Sequence, residues 1–409
     1  MIFKIAFRNL FRNVRRSLLT AGAVWIAVFI LIFTGAFLKG FEESTVAVQI
    51  KTDTGLLRVA ARNYFSQENE WSLDQTLKKE AEDFLQTFAE QFPRDKADPR
   101  VTFRADISDG QFTTRVRGVG INPDHFFQTF KMALTQGSLK ASAESGNIPL
   151  WMGAALAKDF GAKAGDYFTL TARTRHGSYT ANTFILQGIV EGGNPVVDFL
   201  SVYLPLAEAQ TLLDMSAEIT EIVVSGERRK KSRAFESWAA EHFPQLDRQN
   251  WVEESRPIRE INTVRRKVIR ILLGGILLIA LSGIANTMLM ACFERKKEIG
   301  MMKALGLSSS GLVSLILIEG VLIGILGAGL GFATAWPVVL WLEVHGINFG
   351  RFLEGSTSAA VSMASQIFFF PTAWLALRAF LTGVVVASLA TLYPAWKFAK
   401  THPLEALRG

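Results

Sequence analysis

Cysteine is almost missing from this chain of 409 residues: Cys292 stands alone. One thiol excludes an internal disulfide framework and a cysteine-built metal cluster, so a domain outside the cytoplasm must hold together by its core. Histidine is scarce as well. His125, His176, His242, His345 and His402 are scattered without the spacing of a ligand set. The chain contains no G-x-x-x-x-G-K-[ST] loop, no H-E-x-x-H and no G-x-S-x-G. It therefore offers no P-loop nucleotide site and no familiar hydrolase or zinc-protease signature. These gaps point away from an enzyme in its own right, and no cofactor is expected on this chain.

What the chain has in plenty is apolar sequence. Apolar residues make up 49% and charged residues 20%, a mixture that suits a membrane protein with a sizeable soluble domain. The net charge of +7 comes from 44 Lys and Arg against 37 Asp and Glu. Much of that surplus flanks apolar runs, which ties it to membrane topology and leaves no reason to expect a nucleic-acid partner. About 20 mostly apolar residues cross a bilayer as a helix, and four runs qualify: 18–38, 268–292, Gly311 to about Leu340, and about 373–395. The first follows a basic start, as in a signal peptide. It is too long for that, and no small-x-small cleavage site follows, so a retained anchor is expected. Pro337 is expected to kink the third run, and Arg378 to snorkel from the fourth.

Short Lys/Arg-rich segments stay inside. Lys4, Arg8, Arg12, Arg15 and Arg16, then Arg295, Lys296, Lys297 and Lys303, then Lys397, Lys400 and Arg408 fall on one side if there are four spans. Both termini are then cytoplasmic. The cluster Arg265, Arg266, Lys267 and Arg270 falls outside, against the rule, but long translocated domains obey it poorly. Trp341 and Trp374 sit near the outer interface and Trp396 near the inner one. Residues 2–16 read as an interfacial helix, with Phe3, Phe7, Leu10 and Val14 on one face and Lys4, Arg8, Arg12 and Arg15 on another. Each basic residue gains about 1 kcal/mol on anionic lipid.

Residues 40–265 are too many for a loop and read as an α+β domain. Helices are expected over Leu73–Phe92, from Pro205 to Leu213 and over 231–243. Strands are expected at 101–105, 111–119, 167–173, 182–190, 200–204 and 220–225. Gly40–Asp53 and Ile258–Ile269 read as upward extensions of the first two spans, forming a stalk.

The stretch Glu294-Arg-Lys-Lys-Glu-Ile-Gly-Met-Met-Lys-Ala-Leu-Gly306 resembles the charged "R-x-x-E-I-G-x-x-K/R-x-L-G" segment of the FtsX/MacB-like permease family, which includes lipoprotein-releasing (Lol-type) members. Tyr393-Pro-Ala-Trp and Pro403-Leu-Glu-Ala-Leu-Arg408 resemble the family's closing motif, and Arg8-Asn-Leu with Arg15-Arg-Ser its opening. Gly153-Ala-Ala-Leu-Ala, Gly165-Asp166 and Val202-Tyr-Leu-Pro-Leu resemble patches of its outer domain, and Asp53-Thr-Gly-Leu-Leu-Arg-Val59 the start of that domain in Lol-type permeases. The matches cover nearly the whole chain in order.

The resemblance implies four transmembrane α-helices plus a large α+β extracytoplasmic domain in the bacterial inner membrane. The implied layout is an interfacial helix over 1–16 and spans at 17–39, 266–292, 309–343 and 372–395. A periplasmic domain with stalk helices occupies 40–265, a coupling helix 293–308, a periplasmic loop 344–371 and a cytoplasmic tail 396–409. The coupling stretch, with Glu294, Arg295, Lys296, Lys297, Glu298, Ile299, Gly300, Lys303, Ala304, Leu305 and Gly306, would dock on a separate ABC ATPase subunit that binds ATP and Mg. Charges of both signs suit such a docking helix, and Glu294 with Lys297 is expected to steady it. The other implied partners are a second permease copy or a paralogue, membrane lipids, a lipoprotein substrate and a periplasmic acceptor.

Within the membrane, Phe29, Phe33, Phe37 and Phe41 recur every four residues, either lining a path for an apolar substrate or packing. Gly320, Gly324, Gly327 and Gly331 form successive G-x-x-x-G patterns suited to close helix contact. Glu319 needs a partner or the cytoplasmic interface, and Asn286 is expected to bond across helices. The function expected is ATP-driven extraction or release of lipoproteins or another hydrophobic cargo by mechanotransmission. The Gly300-Met-Met-Lys-Ala-Leu-Gly306 ending is closer to MacB-like drug or peptide efflux permeases, and an FtsX-like signalling permease that activates a cell-wall hydrolase is a further reading.

Overall fold

The computed structural model describes residues 2–12, 14–66, 71–140, 148–226, 228–348 and 366–401. The closing motif from His402 to Arg408 and most of the expected 344–371 loop lie outside them. The chain forms two compact units. One comprises Met1–Glu43, Glu260–Ile347 and Gln366–Gly409. The other comprises Ser44–Arg259 with Asn348–Ser365.

The chain opens with the helical segments α1 (Ile2–Arg12) and α2 (Val14–Gln49), and Asn13 between them lies outside the described residues. The faces of α1 differ from expectation. Ala6 and Leu10 are buried, while Phe3, Phe7 and Phe11 are at least half exposed, as is nearly Val14. Steps of four residues drift to one side of a helical seam and steps of three to the other. The phenylalanines thus move outward together, and Leu10 turns into the core.

The second unit begins at Ser44 within α2, which gives way to a π-helical turn, Ile50–Thr54. Gly55 (φ +61°) then turns the chain into β1 (Leu57–Ala60). A Cβ there would lie 2.6 Å from the Val224 carbonyl oxygen, so only glycine meets both demands. The next helix, α3 (Lys79–Gln91), starts later than the expected Leu73. Leu77 exchanges backbone hydrogen bonds with Ile219 (2.8 and 2.9 Å), which holds the segment before it extended. Ala81, Phe84 and Phe88 are its buried face.

There follow β2 (Lys96–Ser108), β3 (Thr113–Ile121), α4 (Pro123–Thr129), β4 (Ala133–Gly137), β5 (Ile148–Gly153), α5 (Ala154–Phe160), β6 (Tyr167–Arg173) and β7 (Tyr179–Glu191). Then come α6 (Pro195–Leu200), β8 (Ser201–Pro205), α7 (Leu206–Leu212), β9 (Glu221–Ser225), α8 (Ser232–His242), β10 (Asp247–Asn250) and α9 (Trp251–Glu254). All ten strands join one mixed sheet in the order β10-β1-β9-β2-β3-β8-β5-β7-β4, with β6 pairing both β2 and β7. β3–β8 and β5–β7 are parallel and the other pairs antiparallel.

Strands β1, β4, β5 and β10 went unread in the sequence for physical reasons. β4 and β10 form the two ends of the sheet order and are polar or fully exposed, so no apolar alternation marks them. β5 is central, with Leu150, Trp151 and Met152 all buried, and Pro149 interrupts its pattern. One face of the sheet packs Phe103, Leu150, Phe168 and Val224 with Phe84, Phe88 and Phe235 from α3 and α8. The other packs Val119, Trp151 and Tyr203 with Phe126, Phe127 and Phe130.

The first unit resumes in α10 (Arg256–Glu294), α11 (Lys296–Ala304), α12 (Ser309–His345) and α13 (Ala373–Ala399). α12 continues through Pro337 and α13 through Pro394. Among the described residues, four helical stretches are long and apolar enough to cross a membrane: Val14–Thr54, Arg259–Glu294, Ser309–His345 and Ala373–Ala399.

The glycines of α12 face two neighbours. A Cβ on Gly320 would strike the Thr391 side chain of α13, and on Gly324 it would meet Ala387 and Val384. On Gly327 it would lie 2.5 Å from the Ala21 carbonyl oxygen of α2, and on Gly331 2.9 Å from that of Trp25. Small residues thus let three spans meet backbone to backbone.

Candidate functional site

α11 is the centre of the charged stretch, and its ends are set by local chemistry. Gly306 adopts φ +98°. Its N–H donates to the Lys303 carbonyl (3.1 Å), and the Leu307 N–H to that of Met302 (3.0 Å). This is a Schellman stop, which glycine alone enters without strain. Ser308 then caps α12, its hydroxyl accepting from the Gly311 N–H at 3.1 Å.

The faces of α11 divide its residues. Ile299 and Gly300 are buried, whereas Lys297, Glu298, Met301, Ala304, Leu305 and Gly306 are exposed, Leu305 by 84%. Lys303 Nζ donates to the carbonyls of Ala399 (2.8 Å) and Thr401 (2.7 Å), tying α11 to the end of α13. Glu298 accepts from Arg12 of α1 at 2.7 Å. Glu294 pairs with Arg16 at 2.5 Å, not with Lys297 as the spacing suggested. The helix breaks at Arg295, which removes the regular geometry a three-residue spacing needs. Lys296 is half-buried.

Glu319 is buried and held from two sides. Arg295 Nη1 donates to it at 3.2 Å, and Asn9 Nδ2 of α1 also donates. A carboxylate in a span thus has a cation and an amide, as the cost of an isolated charge demands. The phenylalanine stripe of α2 has protein neighbours. Phe33 and Phe37 lie 4.9 and 5.5 Å from the ring of Phe369, and Phe29 stacks on Phe33. Phe41 is buried, with the Arg265 guanidinium 4.6 Å from its ring centroid. Arg266 pairs with Glu42 at 3.2 Å, so two cations of the rule-breaking cluster have partners. Asn286 is exposed on α10.

The second unit holds a buried ionic chain that sequence reading did not assemble. Glu221, fully buried at the start of β9, lies between β1 and β2. It accepts from Arg58 Nε and Arg100 Nε, both at 2.7 Å, and from the Thr102 hydroxyl at 2.8 Å. Arg58 also donates to Glu254 of α9 at 2.8 Å. Arg100 donates to the Asp53 carbonyl at 3.0 Å. Arg117 grips both Asp53 carboxylate oxygens, at 3.0 and 2.9 Å, and donates to Ser201. Three arginines thus face three carboxylates, and the chain runs unbroken from Asp53 in the π-helical turn to Glu254 at the end of α9.

Burial alone would raise the Glu221 carboxyl. The Arg100 and Arg58 charges, with their hydrogen bonds, outweigh it and hold the group far below the usual range. Burial and the Glu221 charge push the neighbouring Tyr64 hydroxyl well up. The available signal was the Asp53–Val59 segment, which supplies both Asp53 and Arg58. Arg100, Arg117 and Glu221 come from distant strands and converge only by strand pairing.

Comparison with known proteins follows this division. The MacB-like periplasmic core domain family matches residues 17–236, and the FtsX-like permease C-terminal family matches 270–403. The lipoprotein-releasing system transmembrane protein LolE of Haemophilus influenzae is 25% identical over 329 residues, 76% of each chain. The LolC protein of Xylella fastidiosa is 24% identical over 308 residues, 72% of each chain. Among solved structures, the periplasmic region of MacB from Actinobacillus actinomycetemcomitans aligns with 52% of this chain and 95% of its own, at 14% identity and a TM-score of 0.36. With four membrane-length helices and a MacB-like periplasmic core over more than half its length, the chain belongs to the inner-membrane ABC transporter permeases of the LolC/LolE, MacB and FtsX type.

Proposed function

We propose that this chain is the membrane subunit of a complex in which a separate ATPase, binding ATP and Mg, docks on α11 and drives release of lipidated or other apolar cargo at the outer face of the inner membrane. The carrying observation is the exposed strip Lys297, Met301, Ala304 and Leu305 on a short helix whose opposite face is fixed by Ile299, Gly300 and Lys303. Apolar side chains beside a cation suit a partner's surface cleft, and the flanking charges set register there. Both termini are cytoplasmic in this reading, on the side of α11.

Closure of the ATPase would push α11, and α2 and α10 would carry the motion into the α+β domain by mechanotransmission. Asp53 and Glu254 close the two ends of the ionic chain beside these helices. Lipoprotein cargo is favoured by the similarity to LolE and LolC over most of the chain. Drug or peptide efflux is the second reading, favoured by the match of the outer domain to the MacB-like core.

Affinity purification in mild detergent, with mass spectrometry of the companions, tests the proposal. A small soluble ATPase together with lipoproteins is the expected result. The ATPase with no lipidated companion would move the cargo to the efflux reading, and the absence of any ATPase would sink both. Leu305→Asp in α11 should remove most of the ATPase recruitment while the permease still inserts.

A further inference from the structure

The N-terminal segment holds an acid from each of three consecutive elements. Asn9 donates to Glu319 of α12, Arg12 to both carboxylate oxygens of Glu298 on α11 (2.8 and 2.7 Å), and Arg16 pairs with Glu294 at the end of α10. Arg295 supports the arrangement by holding Glu319 from the other side. Ile5, Ala6 and Leu10 of α1 pack into the same core as Ile299, Leu312, Leu315 and Ile316.

An N-terminal helix that served only as a lipid anchor would turn its cations to headgroups. Lys4, Arg8 and Arg15 are exposed and suit that role. Arg12 and Arg16 instead meet protein carboxylates. Glu298, the acid of the docking stretch, is thereby directed at α1, which leaves Lys297, Met301 and Leu305 to face outward.

We propose that α1 and the first turn of α2 form a clamp on the coupling helix, with Asn9 and Arg12 of α1 and Arg16 of α2 as positioning residues that set the angle at which α11 meets the ATPase. This rests on the coupling reading above. The Arg12–Glu298 pair is half exposed on both sides, so it orients the helix more than it stabilises it. The exposed face Phe3, Phe7 and Phe11 gives the clamp its hold in the headgroup layer.

The test uses the intact permease in nanodiscs, alone and with its ATPase, as Arg12→Glu, Glu298→Arg and the double charge swap. Amide exchange over 296–304 in the permease alone should rise by about fivefold in each single variant, the ceiling for such an exposed pair. It should return toward wild type in the double variant. ATP hydrolysis per assembled complex should fall and recover in the same pattern.

Glu298→Arg defective, Arg12→Glu normal and the swap without rescue would overturn the clamp, because Glu298 would then act on the ATPase itself. Exchange that follows the swap while hydrolysis per complex stays constant would overturn the positioning role. A wild-type chain that recruits no ATPase sinks the coupling reading and the positioning role together, while failed rescue of exchange sinks the clamp alone.

Discussion

Glu221 is the carboxylate that joins two of the three arginines of the buried ionic chain. It is fully buried between two arginines, and no apolar substitute would satisfy both guanidinium groups. Removing one member of a buried charge set leaves its partners uncompensated, at a cost of about 3–5 kcal/mol. Glu221→Gln should therefore lower the unfolding free energy of the outer unit by about that amount, read by denaturant-dependent hydrogen exchange in the intact permease. The pH dependence has a definite sign. A carboxyl whose folded pKa is depressed contributes fully above its unfolded value of about 4.3 and loses that contribution as pH falls through the folded value. Since the Glu221 carboxyl is held far below that unfolded value, the ionic chain should survive mild acid and fail only in strong acid. Protection of β1 and β9 lost already near neutral pH would refute this.

At the scale of elements, α11 is bounded by a glycine stop that was visible only as the final letter of a motif. Gly306 at φ +98° closes the Schellman hydrogen bonds, and Met302 and Leu307, both partly buried, pack against the core of the first unit. Gly306→Ala forces a Cβ into that conformation and should destabilise the end of α11 by about 1 kcal/mol or more. The expected result is reduced ATPase stimulation at unchanged membrane insertion. Stimulation equal to wild type would show that the docking strip does not depend on how α11 ends. The same scale shows what periodicity leaves open. Period-four phenylalanines on α2 suited either a path or packing, and Phe33 and Phe37 pack onto Phe369, which the chain supplies from the segment just before α13.

For the whole molecule, α10 stands out among the spans. Only 6% of its most apolar window is buried within the chain, against 33–50% for the other three. Gly274, Gly275 and Gly283 have open space where a Cβ would be, and Asn286 is exposed on the same helix. A membrane helix with small residues and a polar amide on an open face suits a second helix of the same kind. Gly275 has open space around an added Cβ and Asn286 is exposed, so for Gly275→Leu and Asn286→Leu a shift from paired to single permeases in native mass spectrometry would place the second copy or paralogue on α10. Undiminished pairing in both variants would move that interface elsewhere.

The four spans, the α+β class of the domain between the first two, and a short charged helix between the second and third spans were legible in the sequence. Long apolar runs, short alternating strands and an ordered set of motifs are local signals, and each survives without knowledge of neighbours. Tertiary structure decided the rest. Glu298 could be read as a docking charge, but only packing of α1 beside α11 gives it Arg12. Glu319 was read as needing a partner, and the fold supplied Arg295 and Asn9. Arg58, Arg100, Arg117, Asp53 and Glu221 lie as much as 168 positions apart (221 − 53), and strand order alone brings them together. Charge pairing acts over a few ångströms, so a sequence names which groups need partners while the fold determines which partners they get.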